Sequence, residues 1–232
     1  MDAIEIESLD KLESYHWWYE ARRDVLFRWS STLKPGSSIL DLGSASGGNT
    51  KFLTGLGFLV TSLEYSDVGV ALQKEKGIDV VQGDARKLPF PNDEFDSLIC
   101  LDVLEHILED DQVAQEIRRV LKRSGSFLIS VPEDQSLWSS HDVAVSHLRR
   151  YSQSSLASLL SDASLHCEKI WSTNILIKPL VRLARKRTRG SSLGEVNPLI
   201  NWALYQISRF EFVFFRHSKK SGITLWAAGH KN

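Results

Sequence analysis

The chain has 232 residues, of which 42% are hydrophobic and 25% charged, with a formal net charge of −1. This is the balance of an ordinary soluble globular chain, and it offers no global electrostatic pull towards nucleic acid, which is not expected as a partner. No stretch reaches ~18 uninterrupted apolar residues, so no spanning helix is expected. The start, Met1-Asp-Ala-Ile-Glu-Ile-Glu7, lacks a signal-like apolar core, and Cys100 and Cys167 lie in apolar strand-like runs. A cytoplasmic setting without a disulfide framework follows as the expectation.

Residues 9–33 read as one helix, with Leu9, Leu12, Trp17, Ala21, Val25, Leu26 and Trp29 towards one side. Within it, His16-Trp-Trp-Tyr-Glu-Ala-Arg-Arg23 has two readings. It is either an aromatic cover over one end of the core, or a lid whose aromatics shield a ligand and whose arginine binds a carboxylate. Lys34-Pro-Gly36 then turns the chain into its organising stretch, Ser38 to Thr50. Ile39, Leu40 and Leu42 form a short apolar strand closed around Asp41. Gly43, Ala45, Gly47 and Gly48 make a small-residue turn, and Asn49 and Thr50 open a helix. Such a turn brings backbone close to a ligand and presents the unpaired N–H groups of a helix start. As Gly43-x-Ala45-x-x-Gly48 it is a degraded dinucleotide fingerprint; as Asp41-x-Gly43-x-Ala45-x-Gly47 it is a loop of the kind that holds S-adenosylmethionine. The loop alone leaves both open.

Phe52, Leu53 and Leu56 give a short helix ending at Gly55–Gly57, and Phe58–Leu63 is a second strand. Glu64 ends that strand ~20 residues beyond the first glycine, where a carboxylate accepts from ribose hydroxyls. A helix over 67–76 leads to a third strand, Ile78–Val81, and to Gly83-Asp84-Ala85, where Asp84 has the chemistry to accept from an exocyclic adenine amine. The loop Leu88–Asp96 leads into a fourth strand, Ser97–Leu101, closed by Asp102-Val-Leu-Glu-His106. A helix over about 109–122 carries Val113, Ile117, Val120 and Leu121 at core spacing. Ser126–Val131 is the fifth strand. Regular alternation of strand and helix implies a doubly wound sheet, and Asp41, Glu64, Asp84 and Asp102 recur at its carboxyl ends, where such sheets bind ligands.

In these residues the sequence resembles the class I S-adenosylmethionine-dependent methyltransferases. Asp41-Leu-Gly-Ser-Ala-Ser-Gly47 is similar to the family's first motif, with Ala45 where glycine is common. Glu64, Gly83-Asp-Ala85, Leu88–Asp96 and Asp102–His106 resemble its later motifs, in order and at similar spacing. His16-Trp-Trp-Tyr19 with Arg22-Arg23, Leu137–Asp142 and His147–Tyr151 look like a bacterial subgroup of these enzymes. The resemblance implies S-adenosylmethionine as cofactor, with Gly43 to Gly47 at its methionine part, Glu64 at the ribose, Asp84 and Ala85 at the adenine, and Asp102 to His106 near the sulfonium. The expected cofactor-binding set is Tyr19, Arg22, Asp41, Gly43, Ser44, Ala45, Gly47, Asn49, Glu64, Tyr65, Asp84, Ala85, Asp102, Val103 and His106. It also implies an α/β fold: a Rossmann-like doubly wound seven-stranded sheet, mostly parallel with an antiparallel last strand, and helices on both faces.

The acceptor side is expected in 133–151, which concentrates Trp138, His141, Asp142, His147, Arg149, Arg150 and Tyr151. Methyl transfer to a hydroxyl benefits from a general base, for which His141 and His147 are the candidates, with Asp142 as orienting partner. Both histidines also suit loop packing. Arg149 and Arg150 either bind an anionic acceptor or face solvent. The spacing of His141, Asp142 and His147 matches no standard metal-ligand set, and no metal is expected.

A helix over Ser154–Leu160 precedes a sixth strand, His166–Trp171; the resemblance implies a seventh, Gly222–Gly229, antiparallel to it and normally joined to it by a short connection. Residues 174–220 are therefore an insertion, with six basic residues and no acid from Lys178 to Arg189 and an aromatic-rich half from Pro198 to Phe215. It suits a cap on the acceptor pocket, a dimer contact, or a peripheral contact at the inner face of an anionic membrane. The organisation expected is one domain: an N-terminal helical lid (1–34), a cofactor-binding core (35–171), the insertion (174–220) and the last strand (221–232). The expected activity is methyl transfer to an oxygen or nitrogen of a small or lipid-linked metabolite, by a monomer or a homodimer. A non-catalytic nucleotide-binding regulator and an NAD-dependent oxidoreductase are the alternatives.

Overall fold

In the computed structural model, which describes residues 3–185, 196–215, 218 and 220–232, strands and helices alternate around one mixed sheet. In chain order the elements are α1 (Ala3–Leu12), α2 (Trp17–Ser30), β1 (Ser38–Leu42), α3 (Gly48–Gly55), β2 (Leu59–Glu64), α4 (Asp67–Glu75), β3 (Val80–Gln82) and β4 (Phe95–Leu101). A single 3-10 turn (Leu104–His106) leads to α5 (Asp110–Val120), β5 (Leu121–Pro132), a second such turn (Gln135–Leu137), α6 (Ser140–Ala144), α7 (Gln153–Asp162) and β6 (Leu165–Thr173). Then come α8 (Lys178–Arg185), α9 (Pro198–Phe214) and β7 (Thr224–Lys231). Strand order is β3-β2-β1-β4-β5-β7-β6, with β7 antiparallel to both neighbours and the remaining pairs parallel.

Period-two alternation places successive side chains on opposite faces of this sheet. Leu40, Leu98, Phe127 and Leu225 join one apolar layer with Val113 and Ile117 of α5 and Leu156 of α7. Their chain neighbours Ile39, Ile99, Leu128 and Trp226 join the other with Val25 and Leu26 of α2 and Leu53 of α3. Helix α5 forms because Val113, Ala114, Ile117 and Val120 share one stripe, with Asp110 and Asp111 in its first turn and Arg118 and Arg119 in its last, each end complementing the helix dipole.

Three expectations need correcting. The single helix over 9–33 is two: His16 has extended backbone, and its imidazole accepts from the Trp18 N–H as the N-cap of α2. Glu13, in the break, accepts from Ser46 Oγ (2.6 Å), tying the break to the glycine-rich loop. The third strand lies at Val80–Gln82 because it pairs with Ser62–Glu64. The fifth starts at Leu121, which pairs with Phe95 across a register shift.

The insertion leaves and re-enters the sheet between β6 and β7. Its α9 lies along α2, where Trp17 N–H donates to Asn201 Oδ1 (2.8 Å) and Tyr205 O–H to Asp24 (3.1 Å). The end of its basic run, with Lys186, Arg187 and Arg189, lies outside the described residues.

Candidate cofactor and acceptor site

Order reverses between β1 and β4, and there the carboxyl ends open into a cavity of about 480 Å³, within the usual range for small-molecule sites. Its wall takes Gly43 and Ala45 after β1, Glu64 and Tyr65 after β2, Gly83, Asp84 and Ala85 after β3, and Asp102, Val103 and His106 after β4. Ile6 of α1 and Leu148 complete it, neither of which sequence reasoning named. Gly43 is required twice over: its φ is +75°, and a Cβ there would run into Val103 Cγ2. Glu64 accepts from the N–H groups of Ala45 and Ser66 (2.8 Å each); burial raises its pKa, and these two donors oppose the rise. Asp84 is gripped by Arg86 (2.7 Å), which also reaches Glu109 (3.0 Å). The hydrogen bond from Arg86 holds the Asp84 carboxyl below its ordinary value. Arg86 and Glu109 carried no motif signal of their own, yet both line the cavity.

Six expected cofactor residues do not line it, Arg22 among them. Ser44 is buried in a network with Ser62 and Gln73 (2.6 and 2.8 Å), and Gly47, with φ +86°, is the N-cap of α3. Asn49 lies within α3, and Tyr19, on α2, packs edge-on to His16. Asp41 is buried behind the loop, accepting from Thr50 Oγ1 (2.6 Å). Burial pushes the Asp41 pKa up to about 7, the Thr50 hydrogen bond opposing and the charges of Glu13 and Glu64 adding. The folded chain thus keeps a proton that the unfolded chain releases near its ordinary value of 3.8. Stability from this group is present at acid pH and lost as pH rises from about 4 to about 7, by up to about 4 kcal/mol. Asp41→Asn is expected to flatten that fall in urea-melt stability; identical slopes in the two proteins would dismiss Asp41 as its source.

Arg22, on α2, stands behind the wall and reaches it through Asp102. Its Nη2 donates to Asp102 Oδ2 and to Ser130 Oγ (2.5 Å), and its guanidinium lies 5.4 Å from the Trp18 ring centre and 5.0 Å from that of Trp226. Its Nη1 is buried with no hydrogen-bond partner among the described residues. Asp102 is held at φ +57°, its N–H donating to the carbonyl of Ser130 (2.9 Å).

Residues 40–129 match the family model described as a methyltransferase domain. A Mycolicibacterium smegmatis protein named "Probable S-adenosylmethionine-dependent methyltransferase" is 25% identical over 161 residues, covering 68% of this chain and 62% of that protein. Over residues 40–129 the chain carries a methyltransferase domain and is similar to S-adenosylmethionine-dependent methyltransferases. A sterol 24-C-methyltransferase of Gibberella zeae is 34% identical over 116 residues, covering 46% of this chain and 30% of its own length. In fold, the chain is similar to a Haemonchus contortus phosphoethanolamine N-methyltransferase solved with S-adenosyl-L-methionine, at a TM-score of 0.68 and 16% identity, over 99% of this chain and 57% of the other. The chain thus spans about three-fifths of the mycobacterial relative and less of the other two. The seven-stranded sheet with its antiparallel β7 is the expected one.

On the expected acceptor side the structure redistributes the expected roles. Asp142 is fully buried within α6 and gathers Arg150 (2.7 Å), His147 Nδ1 (3.0 Å) and Arg185 (3.7 Å) while accepting from the Ser139 N–H (2.9 Å). Burial alone would raise its pKa; the His147 hydrogen bond and the Arg150 charge hold it well below the carboxylate range. It therefore contacts His147, as expected, but as the hub of a buried ionic cluster. His141 is buried, its pKa pushed down to about 4 by burial and then by the Arg185 charge. Neither His141 nor His147 lines the cavity; His106 does, with the His147 ring 4.9 Å behind it. Burial, and then His147, push the His106 pKa down to about 3. Arg149 pairs with Asp110 (2.7 Å) and Arg150 with Asp142, so both arginines are committed within the fold rather than offered to an anionic acceptor or to solvent. Glu105 was missed altogether. It is fully enclosed next to His106, and its only signal was its place in Asp102-Val-Leu-Glu-His106.

Proposed function

We propose that the protein moves the methyl group of S-adenosylmethionine to an oxygen or nitrogen of a lipid-linked small metabolite presented at an anionic membrane surface. The observation that carries the chemistry is the cavity itself, lined by carboxylates at the ends of β2, β3 and β4, with Arg22 and its unspent, buried Nη1 paired to Asp102 behind the wall. A guanidinium N–H is the natural donor to the cofactor's carboxylate, while Glu64 accepts from its ribose hydroxyls and Asp84 from its adenine amine. When bound, the cofactor supplies an electrophilic methyl carbon. The chain's part is alignment and exclusion of water, with α1 closing over the cavity through Ile6 as a lid and His106 on the acceptor wall.

The acceptor class rests on the insertion. On α8, Arg182 stands beside exposed Leu180 and Leu183, while Arg185 turns inward to Asp142. On α9, Leu199, Ile200, Trp202, Phe210, Val213 and Phe214 are exposed, more large apolar surface than a monomer usually leaves open. Basic and aromatic residues on neighbouring helices suit an anionic interface. No described helix is long and apolar enough to cross a membrane, so the contact is peripheral. The sterol enzyme among the relatives, by its name, also acts on a lipid.

Calorimetric titration with S-adenosylhomocysteine and with NAD tests the first half. Micromolar binding of the former alone is expected, and binding of NAD alone would overturn the assignment. Sedimentation with phosphatidylglycerol-containing vesicles, but not with pure phosphatidylcholine, tests the second half. Trp202→Ser and Arg182→Glu are expected to release the protein. Failure of the unaltered chain to sediment at low salt would make the acceptor a soluble molecule.

A further inference from the structure

Glu105 presents an unresolved electrostatic problem. Its side chain has no solvent exposure, and neither carboxylate oxygen has a hydrogen-bond partner among the described residues. A buried carboxylate left bare is costly, and a protonated one would still need an acceptor for its O–H. Nearby Asp142 is satisfied by Arg150, Arg185 and His147; Glu105 has the charge of Asp102 against it and only its own backbone N–H and the longer-range attraction of Arg22 and Arg150 in its favour.

Two imidazoles face it. His147 Nε2 lies 3.8 Å from Glu105 Oε1, and one ligand atom from each of Glu105, His106 and His147 lies within 4.8 Å of the other two. Both rings are oriented from their far side: His147 Nδ1 meets Asp142 Oδ1 at 3.0 Å, and His106 Nδ1 meets the Ser146 carbonyl at 3.3 Å. Each ring thus keeps Nε2 for another partner. A carboxylate or carbonyl holding Nδ1 is the usual outer support of a metal-binding histidine. We infer that Glu105, His106 and His147 form a binding site for one divalent transition-metal ion on the inner wall of the cavity. Two imidazoles and one carboxylate select Mn²⁺, Fe²⁺, Co²⁺ or Zn²⁺ over Mg²⁺ and Ca²⁺ and leave coordination positions open. Because His106 lines the cavity, an ion it holds lies beside the space where an oxygen of the acceptor would sit. That last use rests on the methyl-transfer reading; binding of the ion does not.

The test is titration of the chelator-stripped full chain with Co²⁺, followed by calorimetry and by visible absorption of the bound ion. One Co²⁺ per chain is expected, with affinity reduced at least ~10-fold in Glu105→Gln and in His106→Gln. S-adenosylhomocysteine binding on the same samples reports folding, and Glu105→Gln replaces the carboxylate by a group of equal size. No Co²⁺ binding by an unaltered chain that binds S-adenosylhomocysteine would overturn the site, and so would binding equal in all three proteins. Co²⁺ binding that depends on these residues, without S-adenosylhomocysteine binding, would keep the metal site and remove the proposed function.

Discussion

Asp142→Ala is expected to cost about 3–5 kcal/mol of folding stability, the penalty for leaving buried charge unpaired. The carboxylate is completely enclosed, and the Arg150 and Arg185 side chains it faces are 1% and 9% exposed. Truncation would strand two guanidinium groups that cannot discharge themselves by losing a proton. It would also remove the acceptor for the Ser139 N–H at the start of α6 and loosen His147. Asp142→Asn keeps the shape and one acceptor oxygen, so its loss should be smaller but still clear. Urea midpoints at unchanged m-value make the measurement. A loss below about 1 kcal/mol for Asp142→Ala would mean that the cluster is wetter than its burial implies.

Arg22→Ala is expected to lower S-adenosylhomocysteine affinity by at least ~10-fold, because a charge-assisted hydrogen bond is worth about 1.5–3 kcal/mol. Stability should fall as well, since Arg22 joins α2 to Asp102 and Ser130 and packs on the rings of Trp18 and Trp226. That part should stay near or below about 3 kcal/mol, because the Asp102 side chain keeps 35% of its exposure and water can take up its charge. Arg22→Lys is not expected to rescue affinity: an ammonium can pair with Asp102, but it cannot also stack on the indoles and present a second N–H to a ligand. Calorimetry on both variants, with thermal melts alongside, separates the two effects. Full affinity in Arg22→Ala would remove its free Nη1 from the cofactor site. Recovery of stability on adding Asp102→Ala would identify the unpaired carboxylate as the source of the loss.

Much of the cavity wall was legible because its residues sit at strand ends, and strand ends are marked by where apolar alternation stops. Gly43, Ala45, Glu64, Tyr65, Asp84, Ala85, Asp102, Val103 and His106 all reach it for that reason. Asp41 and Ser44 belong to the same motif but support the loop from behind, and spacing alone does not separate a residue facing a ligand from one facing the core. On the acceptor side, residue types pointed to a base and its partner. Burial turned Asp142 into an ionic hub and put His106, not His141 or His147, on the wall.

Local patterning was enough for the order of the strands along the chain and the tight turn after β1; the antiparallel closure by β7, and the insertion before it, came from the family resemblance. The first two depend on period-two or helical spacing or on glycine conformation, all readable within a few residues. The pairings that define the chemistry required the folded chain. Arg22 meets Asp102 across 80 positions of sequence, Glu13 meets Ser46 across 33, and His147 comes to lie against Glu105 and His106 through a loop some forty residues downstream. Charge compensation and desolvation act through space. Which carboxylate is neutralised by an arginine, and which is left bare for another cation, is therefore decided only when the layers close.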